Sequence, residues 1–407
     1  MEVVKGGVTA PKGFEAAAAA AGIKYEGRTD MALIYSQKPC KTAGTFTTNV
    51  VKAAPVIWDR RIVEKKWKSQ AVIVNSGIAN ACTGSQGMEY CEATAAAAAD
   101  ILGVDKKSVL IGSTGVIGMQ LPMEKLENGI QMLAAAKAAG PEAATEAAKA
   151  ILTTDTREKE VAVTVEIGGK AVTIGGMAKG SGMIHPNMCT MLAFLTTDAA
   201  ISRKAMRKAL GHDVQDTYNM ISVDGDTSTN DTVLLLANGL AGNEKIQTGT
   251  EDYETFVKAL HYVNECLAKK IAGDGEGATA LLEAQVTGAR TKEQAKLLAK
   301  SIVCSNLTKA AIAGHDANWG RVLCAMGYSG ADFHPEKVDL YFESEAGKLQ
   351  IIENGTALPF SEEKATEILS QPEITVTAEI KEGEASATAW GCDLTHGYID
   401  INADYRS

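Results

Sequence analysis

What the 407-residue chain lacks narrows its role before any motif is considered. It has no apolar run of the roughly 18 residues that suggest a membrane span, so no membrane partner is expected. Its formal net charge is −10, from 40 basic and 50 acidic residues, and such a surface argues against nucleic acid. No compact positive segment precedes the Ala-rich run near the start, and Glu15 and Lys24 flank that run, so no secretion signal is expected. The eight cysteines are scattered with no C-x-x-C, which predicts reduced, mostly buried thiols in a cytoplasmic protein. The six histidines show no metal-ligand spacing, so no metal is expected. The glycines at 273–277 are not followed by the Lys-Ser/Thr of a phosphate-binding loop. Asp224–Asp231 resembles a calcium loop only in part: its sixth position is Thr229 and its twelfth is Leu235, where Gly and Glu are required.

What remains is an ordinary globular composition, 45% hydrophobic and 22% charged. The Ala-rich stretches Ala16 to Ala21, Ala95 to Ala99 and Ala134 to Ala150 are expected to be helices, because Ala has the highest helix propensity. Ala71 to Asn75 and Val109 to Ser113 have the profile of buried strands, each running into a Gly-containing loop. Val161 to Ile174 alternates about Gly168-Gly169, a hairpin signal. Strands are also expected at 191–197, 232–237 and 280–287, and helices at 202–210, 252–271, 292–304 and 362–369. This irregular order of strands and helices predicts an α+β fold and not a doubly wound sheet. The Gly-Asp-Gly-Glu-Gly cluster is the clearest break, placing one domain at 1–272 and a smaller C-terminal α/β domain at 273–407.

The segment 175–197 carries the chemistry. A Gly-rich polar loop containing Lys179 and Asn187 leads into an apolar strand, with Thr190 at the junction behind Cys189. A Thr hydroxyl can attack the carbonyl of the residue before it, and hydrolysis of the ester frees the Thr as a new N-terminus. Its α-amine, with a pKa of roughly 7.7–8.0, then serves as base for its own hydroxyl. By themselves, however, the residues fit a plain loop entering a core strand better than a self-cleaving site.

KGSGMIHPNMCTML, at 179–192, resembles the processing segment of the ornithine acetyltransferase (glutamate N-acetyltransferase) family. GGVTAPKGF at 6–14, VNSGIANACTG at 74–84, STGVIG at 113–118 and TTDT at 153–156 resemble that family too. So do SVDGDTSTND at 222–231, GDGEGAT at 273–279, AGHDANWGR at 313–321 and the C-terminal GCDLTHGYIDINADYRS. The resemblance covers nearly the whole chain, in order.

The resemblance implies a layered α/β/β/α sandwich of the self-processing Thr-nucleophile type. It implies cleavage between Cys189 and Thr190 into an α chain and a β chain, assembled as an α₂β₂ heterotetramer. Family members commonly have Ala where this chain has Cys189, also a small residue. Thr114, by its hydroxyl, and Gly115, by its backbone N–H, are implied as the oxyanion hole. Thr153, Lys179, Glu276, Asn402 and Ser407 are implied as substrate-binding residues beside Thr190, with Thr154 an alternative to Thr153. Most members end in Thr, and Ser407 keeps the hydroxyl. The implied reaction is ping-pong transfer of acetyl from N-acetylornithine to glutamate in arginine biosynthesis, without metal or organic cofactor; acetyl-CoA enters as an optional substrate. Two alternatives stand beside it: a self-processing aminopeptidase or amidase of the same fold, and a non-enzymatic α/β binding protein.

Overall fold

The computed structural model describes residues 1–185 and 191–404. Contacts divide these into two compact units. The first holds 1–180, 191–218 and 227–267, and the second holds 181–185, 219–226 and 268–404.

The strands of the first unit begin with β1 (Glu2–Val4), β2 (Phe14–Ala19), β3 (Met31–Phe46), β4 (Ser69–Asn75) and β5 (Val109–Ser113). They continue with β6 (Lys159–Ile167), β7 (Lys170–Lys179) and β8 (Leu192–Thr197); β9 (Ile221–Ser222) belongs to the second unit, and β10 (Thr232–Ala237) completes the first. The sheet order is β1-β6-β7-β8-β10-β3-β4-β5, with β2 also paired to β3. The long β3 serves two sets of neighbours. Residues 31–35 pair with β4 and 31–36 with β2, while 41–46 pair with β10. The β3–β4 register shifts between Tyr35 and Cys40, a stretch that contains Pro39, whose missing N–H cannot join a ladder. β8 and β10 run parallel and every residue in both is buried, which accounts for their continuous apolar character.

Helices α1 (Ala54–Glu64), α2 (Gln86–Leu102), α3 (Met123–Ala136) and α4 (Pro141–Ala150) share one apolar core with β2–β5. In the parallel pair β4–β5, α2 lies in the crossover. The Ala16–Ala21 expectation is corrected here. This run is the strand β2, paired antiparallel with β3 from Phe14↔Ser36 to Ala19↔Met31 and packed against α3 and α4. Ala propensity is a weak preference, and small side chains let helices lie close on a strand. The Ala134–Ala150 helix is likewise corrected to two helices, broken where Gly140 precedes Pro141. The remaining long helices of this unit are α5 (Arg203–Asp213), capped by Ser202, and α6 (Glu251–Ala272), whose last residues enter the second unit.

The second unit adds α7 (Lys292–Cys304), α8 (Asn306–Ala313), α9 (Trp319–Gly327), α10 (Glu362–Leu369) and α11 (His396–Ala403). Its strands are β11 (Leu281–Ala289), β12 (Asp339–Ser344), β13 (Gly347–Glu353), β14 (Thr356–Ala357), β15 (Glu373–Glu379) and β16 (Ala385–Cys392). They form a sheet of order β14-β13-β12-β15-β11-β16-β9, on which α7 buries Ala295, Leu298, Ala299, Ile302 and Val303. The fold is therefore α+β, with parallel and antiparallel pairs mixed in both sheets. Among the described residues no helix is long and apolar enough to cross a membrane. Cys40, Cys91 and Cys392 are buried, Cys82 and Cys324 are exposed, and no disulfide joins any of the described cysteines.

Candidate active site

In the first unit the turn after β5 is built against the loop after β4. Asn75 joins the two: its amide donates to the Ile78 carbonyl at 2.9 Å and its oxygen accepts from Ser113 Oγ at 2.7 Å. The buried Asn230 amide binds both loops from below, donating to the Ala79 carbonyl at 2.6 Å and to the Ser113 carbonyl at 2.8 Å. Gly115 has φ +128°, and a Cβ there would stand 2.2 Å from the Gly77 carbonyl carbon. Only glycine fits. The Thr114–Gly115 turn is thereby fixed, half-exposed, on a scaffold made from three of the sequence motifs.

Lys179, at the end of β7, reaches the same place. Its ammonium donates to Thr153 Oγ1 at 2.7 Å and to Thr114 Oγ1 at 3.4 Å. The structure thus brings Thr114, Thr153 and Lys179 together, and of the pair 153 and 154 it is the Thr153 hydroxyl that meets the lysine. Arg28 fixes the loop behind them by donating to the Leu152 and Thr153 carbonyls.

Asp155 organises this cluster and was not among the residues the sequence singled out, although TTDT contains it. Its fully buried carboxylate accepts from Lys159 Nζ at 2.7 Å, Gly180 N at 2.6 Å and Thr153 N at 3.1 Å, and lies 3.6 Å from Lys179 Nζ. Burial opposes its ionisation, but the Lys179 and Lys159 ammoniums and the Gly180 N–H outweigh it and hold the carboxyl well below the usual range.

The second unit gathers another pair. Asn402, on α11, donates its amide to Glu276 Oε2 at 2.7 Å. Glu276 is buried, and its backbone N–H donates to the Ser181 carbonyl at 3.0 Å. A Cβ on Gly182 would come within 2.3 Å of the Glu276 carboxylate, so the glycine makes room for that charge. Thr395 ties the start of α11 to the same loop through the Gly277 carbonyl at 2.6 Å. Nearby, His185 Nδ1 lies 3.1 Å from Ser222 Oγ; burial and the neighbouring Lys300 push its pKa down to about 4, leaving a neutral ring.

Thr190, Cys189 and Ser407 lie outside the described residues. Met191, next to Thr190, is buried and its carbonyl accepts from the Thr232 N–H at 3.0 Å. Among the described residues no group of three or more His, Cys, Asp or Glu side chains is disposed to hold a metal ion. Within the first unit, hydroxyls around an ammonium have the chemistry to meet an anionic group; within the second, an amide on a carboxylate has the chemistry to meet a cationic one.

Residues 15–407 match the model of the ArgJ family. The arginine biosynthesis bifunctional protein ArgJ of Caldanaerobacter subterraneus subsp. tengcongensis is 51% identical over 407 residues, covering 100% of both chains. That of Symbiobacterium thermophilum is 53% identical over 409 residues, again covering 100% of both. A crystal structure of the arginine biosynthesis bifunctional protein from Bacillus halodurans is 45% identical with a TM-score of 0.50. It covers 53% of this chain and 99% of its own.

Proposed function

The chain belongs to the ArgJ family, and from that premise we propose that it is a self-cleaving acetyltransferase of arginine biosynthesis with Thr190 as its nucleophile. Cleavage begins when Thr190 Oγ attacks the Cys189 carbonyl carbon. The C–N bond breaks, the Cys189 acyl group sits on the Thr190 oxygen as an ester, and the α-amine is free. Water then hydrolyses the ester, leaving a Cys189 carboxylate and a Thr190 with both hydroxyl and amine.

In the transfer reaction Thr190 Oγ attacks the acetyl carbonyl of N-acetylornithine. The Thr190 amine takes the hydroxyl proton and passes it to the departing ornithine nitrogen. The amine of glutamate then attacks the acetyl ester, releasing N-acetylglutamate and restoring the hydroxyl. Acetyl-CoA, as a second donor to the same Thr190, would make the enzyme bifunctional like its named relatives. The Thr114 hydroxyl and the Gly115 N–H receive the tetrahedral oxyanion. Lys179 with Thr153 takes the substrate carboxylate, Glu276 with Asn402 takes an ammonium, and Ser407 completes the site. No cofactor is needed. The cytoplasm is the proposed compartment and α₂β₂ the proposed assembly.

The observation that carries the assignment of roles is the Lys179 ammonium bonded to both threonine hydroxyls, Thr114 and Thr153. Intact-mass measurement tests the cut: purified protein is expected as two fragments, the larger beginning at Thr190, and Thr190→Ala as one. Incubation with N-acetylornithine and labelled glutamate tests the reaction. Labelled N-acetylglutamate is the expected product. Acetate alone would return the hydrolase alternative, and an uncut yet active chain would end the Thr190 mechanism.

A further inference from the structure

We propose that Asp224 is a positioning residue for self-cleavage, fixing the backbone of residues 183–185 that precede the bond to be cut. The proposal rests on the self-cleavage reading above and adds to it a residue outside the oxyanion and substrate sets.

The observations lie within the second unit. Asp224 Oδ2 accepts from Met183 N at 2.5 Å, and its Oδ1 accepts from Ile184 N at 2.8 Å. Two consecutive backbone N–H groups on one carboxylate define the direction of the chain more narrowly than one bond can. Met183 has φ +56°, the left-handed region that an unbranched residue other than glycine seldom occupies. Such a conformation persists only where its surroundings over-determine it. Here they do. Val223 N donates to the Ile184 carbonyl at 2.7 Å, and Ser222 Oγ lies 3.1 Å from His185 Nδ1, so three successive residues, 222 to 224, engage 183 to 185.

The partner segment is itself anchored. The half-buried Lys300 donates to the Asn219 carbonyl at 2.7 Å and the Ile221 carbonyl at 2.6 Å, and the buried Lys309 donates to the Val223 carbonyl. Two ammonium groups thus bind main-chain oxygens of residues 219–223. On the Asp224 carboxylate itself, Tyr398 OH lies 3.4 Å from Oδ2 and Asp226 N lies 3.2 Å from Oδ1. A carboxylate fixed by the chain on both sides of it behaves as a rigid clamp.

Self-cleavage is sensitive to such a clamp. The attacking oxygen must stand about 3–3.5 Å from the carbonyl carbon, and a misplacement near 1 Å costs on the order of 100-fold in rate. Residues 183–185 end one position before the segment that contains the bond to be cut.

The test follows precursor cleavage by intact mass in freshly produced full-length chains. Asp224→Ala is expected to cut about 10- to 100-fold more slowly than the native sequence. Asp224→Asn, which keeps one carbonyl acceptor, should fall between the two, and Tyr398→Phe should slow cutting less than either. The same substitutions in a Thr190→Ala background, where every chain stays whole, separate positioning from folding. There the melting temperature of Asp224→Asn and Tyr398→Phe should match the Thr190→Ala parent. Asp224→Ala cut at the native rate overturns the proposal, and so does slow cutting in Asp224→Asn that is matched by a lowered melting temperature. Should Asp224→Ala fail to fold, Asp224→Asn decides. A native chain that never cuts would sink the self-cleavage reading together with this one, whereas a native chain cut alongside an equally cut Asp224→Ala sinks only the clamp.

Discussion

Asp155 and Lys179 face each other across 3.6 Å with both side chains nearly inaccessible to solvent, and the same carboxylate accepts a 2.7 Å hydrogen bond from Lys159. One buried anion therefore serves two cations, one of which reaches the threonine hydroxyls of the candidate site.

Replacing Asp155 by Asn leaves those two ammoniums buried without their anion. Breaking a buried pair in this way costs roughly 3–5 kcal/mol. A lowered urea midpoint is expected, with kcat/KM down by at least about tenfold as Lys179 loses its support. The pH dependence has a definite sign. The folded pKa lies below the ordinary value of 3.8, so the contribution is present at neutral pH and fades as pH falls below that value. Acid melts of Asp155→Asn should show a shallower loss than the native protein.

Gly115→Ala places a methyl 2.2 Å from the Gly77 carbonyl carbon at a φ of +128°. The turn must shift, and the proposed oxyanion donors Thr114 and Gly115 with it. Loss of one such donor costs about 100- to 1,000-fold in turnover. Both cleavage and acetyl transfer are expected to fall, since both pass through a tetrahedral oxyanion; preserved rates in this variant would remove the turn from the mechanism.

Asn402→Ala removes a donor from the buried Glu276 carboxylate. Hydrogen bonds to charged groups are worth about 1.5–3 kcal/mol. A rise in KM of at least about tenfold is expected, with cleavage at the 189–190 bond unaffected. Steady-state kinetics and intact mass on the same preparation check both halves.

His261 supplies a pH signature away from the site. Hydrogen bonds donated by its ring to Asp213 at 2.6 Å and Glu265 at 3.3 Å, against the effect of partial burial, raise its pKa from 6.5 to about 10. A raised folded pKa stabilises fully below the unfolded value and is lost as pH climbs through the folded one. The melting temperature of His261→Gln should lie below that of the native protein at pH 6, with the gap closing towards pH 10. An unchanging gap would refute the charged pairing.

Much of the fold was legible wherever local pattern and tertiary outcome agree. The alternation about Gly168-Gly169 became the hairpin β6–β7, and the apolar spacing of 252–271 became α6. The Ala16–Ala21 run misled because a strand made of alanine owes its state to pairing with β3 and to the helices packed on it, neither of which is local. Resemblance named Thr114, Thr153 and Lys179 one by one, but not the network that joins them. Asp155, Asn230 and Asp224 act by bonding backbone groups of other segments, and Asn230 reaches across 151 positions to Ala79. No spacing rule marks such a residue. Likewise nothing local announces that 181–185 and 219–226 pack with the C-terminal half.

The strand order carries a further consequence for a chain cut between 189 and 190. β7 lies before the cut and β8 after it, yet they are neighbours, and β10 is seated between β8 and β3. The two products would therefore be interleaved in one sheet, each supplying backbone partners that the other cannot replace. Separating them would mean extracting buried strands from both sides. In such a chain the bond, while whole, would act as an assembly aid: it would deliver both halves to one fold in equal number, and the ladder of hydrogen bonds would then hold them without it.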